Sequence, residues 1–152
     1  MPLPSPIKMR VMVSSSKGKI RTYATALGEA FNCLVNDVPP AYACDKERLV
    51  IIVMSLHGDP SDRLRLFCSE LNKNRAFNVA LVVDNKEQTR GIKIIKDTLR
   101  EAGTNVIDDV YYLESPGFFA GKKITLEERT KIVKWAQGLT EQIANGTLKP
   151  ST

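Results

Sequence analysis

"LVIIVMSLHGDP", residues 49–60, decides the fold. Leu49–Met54 is wholly apolar and mostly β-branched. An alternating pattern would leave one face wet. An unbroken run marks a strand covered on both faces, as in a parallel sheet sandwiched between helices. Ser55–Asp59 then reads as a loop, and Asp59-Pro60 as a helix N-cap followed by proline in the first turn. Leu64, Phe67, Cys68 and Leu71 would form the apolar face of that helix.

The same alternation extends in both directions. Ile7–Val13 is a short apolar strand, and Ile20, Ala24, Leu27 and Phe31 carry a helical stripe. Cys33–Val38 reads as a second short strand, stopped by Pro39-Pro40. Phe77–Val83 is another doubly buried strand. A helix with Ile92, Ile95, Leu99 and Ala102 follows and ends at Gly103. Val106–Leu113 is the fifth strand. Thr125 and Glu128 form a capping box that opens a last helix, with Ile132, Ala136, Leu139 and Ile143 on one face. Residues 1–152 make one domain, with 1–6 and 147–152 as loose ends. Strands joined by helices give a three-layer α/β/α sandwich around a five-stranded parallel sheet of order 2-1-3-4-5. Val11, Val13, Val50, Ile52, Val53, Ala80, Val82 and Val110 are its expected interior. Such a sheet binds its ligand beyond the carboxyl ends of the strands, beside the switch point between strands 1 and 3. That singles out the loops at 14–20, 55–60 and 84–90.

The chain has 152 residues, 43% hydrophobic and 26% charged, as in soluble globular domains. No run approaches the roughly 18 apolar residues of a membrane span. The start, MPLPSPIKMR, has prolines where an export signal needs an apolar core. Three widely spaced cysteines, odd in number and without CxxC or zinc spacing, fit a reducing cytoplasm. Cys33 and Cys68 read as buried thiols, and Cys44, in a loop, as the one more open to oxidation. The net charge of +5 weakly favours anionic ligands or acidic partners. Its cations alternate with acids along the chain, so no nucleic-acid stripe is evident.

Spacing rules out several chemistries. Gly18-Lys19 has Val13 where a P-loop needs its first glycine and Ile20 where it needs a hydroxyl. Gly121-Lys122 fails in the same way, at Pro116 and Lys123. No GxGxxG, receiver aspartate, cysteine-phosphatase loop or GxSxG elbow is present. His57, the only histidine, can build neither a catalytic triad with such an elbow nor a metal site by itself. There remains "VMVSSSKGKIRTYA", residues 11–24, where a strand ends in serines and a helix begins. Backbone N–H groups and the helix dipole can cradle an anion there, with serine hydroxyls and lysines in support. A plain strand-to-helix turn with serines as caps accounts for the same residues.

These loops resemble those of the flavodoxin family, the small electron carriers that bind flavin mononucleotide (FMN). The family's first loop reads Ser/Thr-x-Thr-Gly-Asn-Thr. It falls on Ser15-Ser16-Lys17-Gly18-Lys19-Ile20, with the family's alanine at Ala24. Ser15 and Gly18 match, whereas Lys17, Lys19 and Ile20 depart. Ser55-Leu56-His57-Gly58-Asp59 resembles the Ser-Thr-Trp-Gly-Asp stretch beside the flavin ring, with His57 where the aromatic stacks. The third loop, from Asp84 and Asn85 to Thr89, lacks the family's glycine and tyrosine. The resemblance implies FMN with its phosphate on residues 15–20, its ring framed by Ser55, Leu56, His57, Gly58, Asp84 and Asn85, and redox proteins as partners. The missing hydroxyls leave two alternatives: a flavin-free interaction module on the same fold, or a flavin-dependent reductase of a small substrate. Ser115–Lys123, with Phe118, Phe119 and a lysine pair, is a candidate contact surface.

Overall fold

The computed structural model describes residues 7–84, 89–113 and 124–148. The elements run β1 (Met9–Ser14), α1 (Gly18–Phe31), β2 (Leu34–Asp37), β3 (Leu49–Met54), α2 (Asp62–Ser69), β4 (Asn78–Val83), α3 (Thr89–Ala102), β5 (Asn105–Val106), β6 (Tyr111–Tyr112) and α4 (Leu126–Asn145). The sheet is parallel throughout, in the order β2-β1-β3-β4-β5, with β6 also on β4. Among the described residues no helix is long and apolar enough to cross a membrane. Asn85, the Ser115–Lys123 loop and residues 1–6 and 149–152 lie outside the described residues.

The pleat of β3 shows why its sequence is unbroken. Leu49, Ile51 and Val53 face a core built with Ile20, Ala24 and Leu27 of α1 and Ile132, Ala136 and Leu139 of α4. Val50, Ile52 and Met54 face a second core with Leu64, Phe67 and Cys68 of α2 and Ile92, Ile95 and Leu99 of α3. Successive side chains thus enter different layers, and all six residues are buried. The capping box at Thr125 and Glu128 is present, and α4 ends on Gly146 in the left-handed conformation.

Three expectations need correction. The second helix opens at Asp62 with Ser61 as its cap, and the Ser61 hydroxyl accepts the Leu64 N–H at 3.2 Å. Asp59, expected to be the cap, instead receives the Arg90 guanidinium at 2.9 Å. Serine caps as well as aspartate, so the two-residue shift costs nothing locally.

The fifth strand is broken in two. From Val79 to Val82, β4 advances three residues, while its partner runs from Val106 to Tyr111, so the broken strand holds two extra residues. Asp108 and Asp109 sit in the break. Charged side chains have no place in a doubly covered strand. Here Asp108 pairs with Arg100 at 3.3 Å and Asp109 accepts the Trp135 indole N–H at 3.2 Å. Val110, expected in the core, is only half-buried as a result.

Cys44, expected to be open, is buried against the α2–α3 core, and burial raises its thiol above the ordinary value. Burial also pushes Cys33 up to about 11 and Cys68 up to about 12. The three thiols are free.

Candidate functional site

β1 and β3 diverge toward α1 and α2 at their carboxyl ends, and a crevice of about 860 Å³ opens between them. Ser14–Lys17 and Arg21 form one wall, Ser55–His57 and Asp59–Ser61 the other, and Asp37, Val38, Arg63 and Leu64 close the side. The volume lies in the range of small-molecule sites, about 300–1,000 Å³.

The first loop is tied down from inside. The Lys17 N–H donates to Ser15 Oγ at 3.1 Å, and Ser15 Oγ lies 2.6 Å from Ser55 Oγ, joining the first and second loops. Ser15 therefore braces the turn and does not cap the helix. Lys17 occupies the cap position with an extended backbone and no side-chain cap, and the first turn of α1 holds no acid. The N–H groups at the start of a helix have no intrahelical acceptor and carry its positive dipole end. The N-terminus of α1 thus faces the crevice without a side-chain cap or an acid of its own.

The lysines expected at the phosphate are directed elsewhere. Lys17 reaches across the crevice, its Nζ 2.8 Å from His57 Nε2 and 3.1 Å from Asp84 Oδ2. An ammonium group can only donate, so His57 Nε2 accepts. Asp84 Oδ1 accepts the Leu56 N–H at 3.1 Å. Asp84 and Lys17 therefore connect all three loops. Lys19 points away, to Glu128 Oε2 at 3.1 Å, in a mostly shielded pair between α1 and α4. Ile20 is buried in the α1–α4 core, so it offers nothing to a ligand and could not be a hydroxyl without cost. Gly18 stands at the first helical position. Ser16 is exposed beside it.

Sequence reasoning missed Arg21. One turn into α1, its guanidinium donates to Ser15 O at 3.2 Å and pairs with Asp37 at 2.6 Å. The signal was its place on the same helix face as Lys17, four residues on. The Asp37 hydrogen bond, more than their charge attraction, raises Arg21 and lowers Asp37 from their ordinary values. On the second loop, Gly58 has a left-handed φ of 91°. A Cβ on Gly91 of α3 would come within 2.8 Å of Gly58 O, so only glycine lets α3 pack this close to the loop.

A five-membered parallel strand order with α1 and α4 on one face, α2 and α3 on the other, and a crevice at the β1–β3 switch point defines a flavodoxin-like α/β sandwich. The chain is similar in structure to a flavodoxin from the domain Archaea, with a TM-score of 0.50 and 16% identity, covering 90% of this chain and 99% of that one. At that identity the likeness is one of fold. No protein-family model and no curated protein sequence matches the chain.

The donor set can be tested against FMN. At the α1 end an uncapped helix start, two serines and Arg21 suit a phosphate. At the other end Leu56, Val38 and Leu64 offer an apolar wall, and His57 is the one aromatic ring among the lining residues. The phosphate end fits well and the ring end more thinly.

Proposed function

We propose that the chain binds FMN in this crevice and carries electrons between redox partner proteins in a reducing cytoplasm. The observation that carries the reading is the start of α1. It faces the crevice without a side-chain cap and with no acid in its first turn, between Ser15 and the Asp37-paired Arg21, in a flavodoxin-like fold. Backbone N–H groups of residues 18–20, Ser16 and Arg21 hold the phosphate. Ser55–Gly58 flanks the ring, and Asp84 holds that loop in place through Leu56 N–H. The flavin, when bound, supplies the redox chemistry, and the residues around it bind, orient and exclude water. The free thiols Cys33, Cys44 and Cys68 fit the same compartment.

One observation favours the flavin-free alternative. The Lys17 side chain spans the crevice to His57 and Asp84, where the ring would enter. Titration of the apoprotein with FMN and riboflavin, followed by flavin fluorescence, separates the two. A charge-assisted bond to the phosphate is worth about 1.5–3 kcal/mol, so FMN should bind at least about tenfold tighter than riboflavin. Arg21→Ala should erase most of that preference. Equal affinities would remove the phosphate grip. Failure of both flavins to bind would leave the interaction module.

A further inference from the structure

The opposite end of the sheet has a character of its own. Lys8, Arg48 and Phe77 immediately precede β1, β3 and β4, so they mark the amino ends of the strands, away from the crevice. Three segments meet there. Arg48 N–H donates to Lys8 O, Lys46 N–H to Asn74 O, Glu47 N–H to Arg75 O, and Phe77 N–H to Glu47 O. In sequence the cations of these segments are far apart and alternate with acids. The fold gathers them.

Arg10 lies buried with Glu47 at 3.5 Å, and that pair neutralises itself. Around it Lys8, Lys46, Arg48, Lys73 and Arg75 are exposed, with Asp45 as the exposed acid of these segments. These segments therefore carry five exposed cations against one exposed acid, with the exposed carboxylate of Glu70 beside them. Among the described residues Lys46, Arg48, Lys73 and Arg75 form no ion pair. Two aromatic side chains are exposed on or next to these segments. Tyr42, whose carbonyl accepts from Arg10, is 83% exposed, and Phe77 is 44% exposed. Beside Tyr42 lies a recess of about 240 Å³ lined by Pro39, Ala41, Cys44, Phe67, Glu70 and Arg75. It has room for one planar heterocycle, with a carboxylate and a guanidinium at its edge.

We propose that this end of the sheet binds single-stranded nucleic acid. Phosphates lie along Lys8, Lys46, Arg48, Lys73 and Arg75, and bases stack on Tyr42 and Phe77 and enter the recess. Exposed cations interleaved with aromatic rings are the combination that single strands use, because every base has a face to stack and every linkage a charge. In the recess, Glu70 can accept a hydrogen bond from an exocyclic amine. A redox protein docked here would sit at the wrong end of the sheet for the crevice. The patch is therefore a second function, independent of whether flavin binds.

The test is fluorescence anisotropy of a short labelled oligocytidylate, whose bases carry the exocyclic amine. If four phosphates are neutralised, log K falls against log salt with a slope of about −3, a loss of about fifty-fold between roughly 50 and 200 mM. Lys46→Ala with Lys73→Ala should halve that slope. Tyr42→Ala should weaken binding at least about fivefold. All three residues are exposed, so the variants should melt as the parent does, which a thermal scan checks. Ser15→Ala, in the crevice, should bind the oligonucleotide as the parent does, whatever its effect on FMN. No binding at about 50 mM salt overturns the proposal. So does equal displacement by inorganic polyphosphate or polyglutamate with Tyr42→Ala unchanged. The first competitor would reduce the patch to bare charge attraction, and the second would make it a site for an acidic protein.

Discussion

Replacing Glu128 by glutamine separates charge from shape at the junction of α1 and α4. The Glu128 carboxylate accepts from the Tyr23 hydroxyl at 2.7 Å, from Lys19 at 3.1 Å and from the Thr125 N–H at 2.9 Å. Burial alone would push its carboxyl up. The bonds from Tyr23, Thr125 and Lys19 outweigh burial and bring it down from 4.5 to about 2. At about 1.36 kcal/mol per pH unit that is at most ~3 kcal/mol of folding free energy. Lys19 and Glu128 retain 11% and 13% side-chain exposure, so solvent takes part of it and ~1.5–2 kcal/mol is the working figure. A carboxyl lowered in the folded state stabilises above its unfolded value of 4.5 and loses that contribution as pH falls toward about 2. Glutamine can still accept the Thr125 N–H, so the capping box survives and the charge is lost. Urea unfolding of parent and Glu128→Gln should therefore differ by ~1.5–2 kcal/mol at neutral pH. The gap should close progressively below about pH 4. A gap under ~0.5 kcal/mol at neutral pH, or one that stays constant on acidification, would refute the reasoning.

Other perturbations probe the remaining layers. Ile20→Thr would restore a hydroxyl at a position matching the family's loop, yet Ile20 is in the core; it should cost ~1–2 kcal/mol in urea unfolding and leave FMN affinity unimproved, and tighter flavin binding at unchanged stability would contradict this. Gly91→Ala puts a methyl 2.8 Å from Gly58 O and should destabilise by ~1–3 kcal/mol while shifting the second loop. A variant that melts with the parent would show that α3 simply moves. The raised thiols predict no fast reaction with a disulfide reagent near neutral pH and full reaction of Cys33, Cys44 and Cys68 in denaturant. One thiol consumed within the mixing time in the folded protein would count against it.

The layers were legible because burial writes itself into residue type. Leu49–Met54 has no polar position to spare, and its two faces enter two different cores. The direction of long side chains was not legible. Lys17 and Lys19 are two residues apart on one loop, but α1 begins between them and turns them to opposite sides, one to Asp84 and one to Glu128. Their partners lie far along the chain, on elements whose approach no local pattern specifies. The same holds for Arg21, whose acid, Asp37, sits at the end of the neighbouring strand. Asp108-Asp109 was readable in principle, since adjacent acids inside an apolar run argue against a continuous strand. The charge at the amino ends of the strands was hidden for a different reason. Lys8, Lys46 and Lys73 are neighbours only after the sheet has formed.

The broken fifth strand has a consequence for how the sheet opens. Its two pieces grip β4 separately, through Asn105 and Ile107 N–H to Phe77 and Val79 at one end and Leu113 N–H to Val83 at the other. Between them, residues 108–110 stand outside the ladder pairing. A continuous edge strand leaves the sheet as a unit; a divided one can fray at either end while the other holds. Amide hydrogen exchange should therefore show two opening events along this edge with different free energies. The piece at Leu113 lies beside the end of the sheet where the crevice opens, and the piece at Asn105 lies at the cationic end. Local unfolding at one end then need not be felt at the other, so ligands at the two ends could each order their own half of the edge.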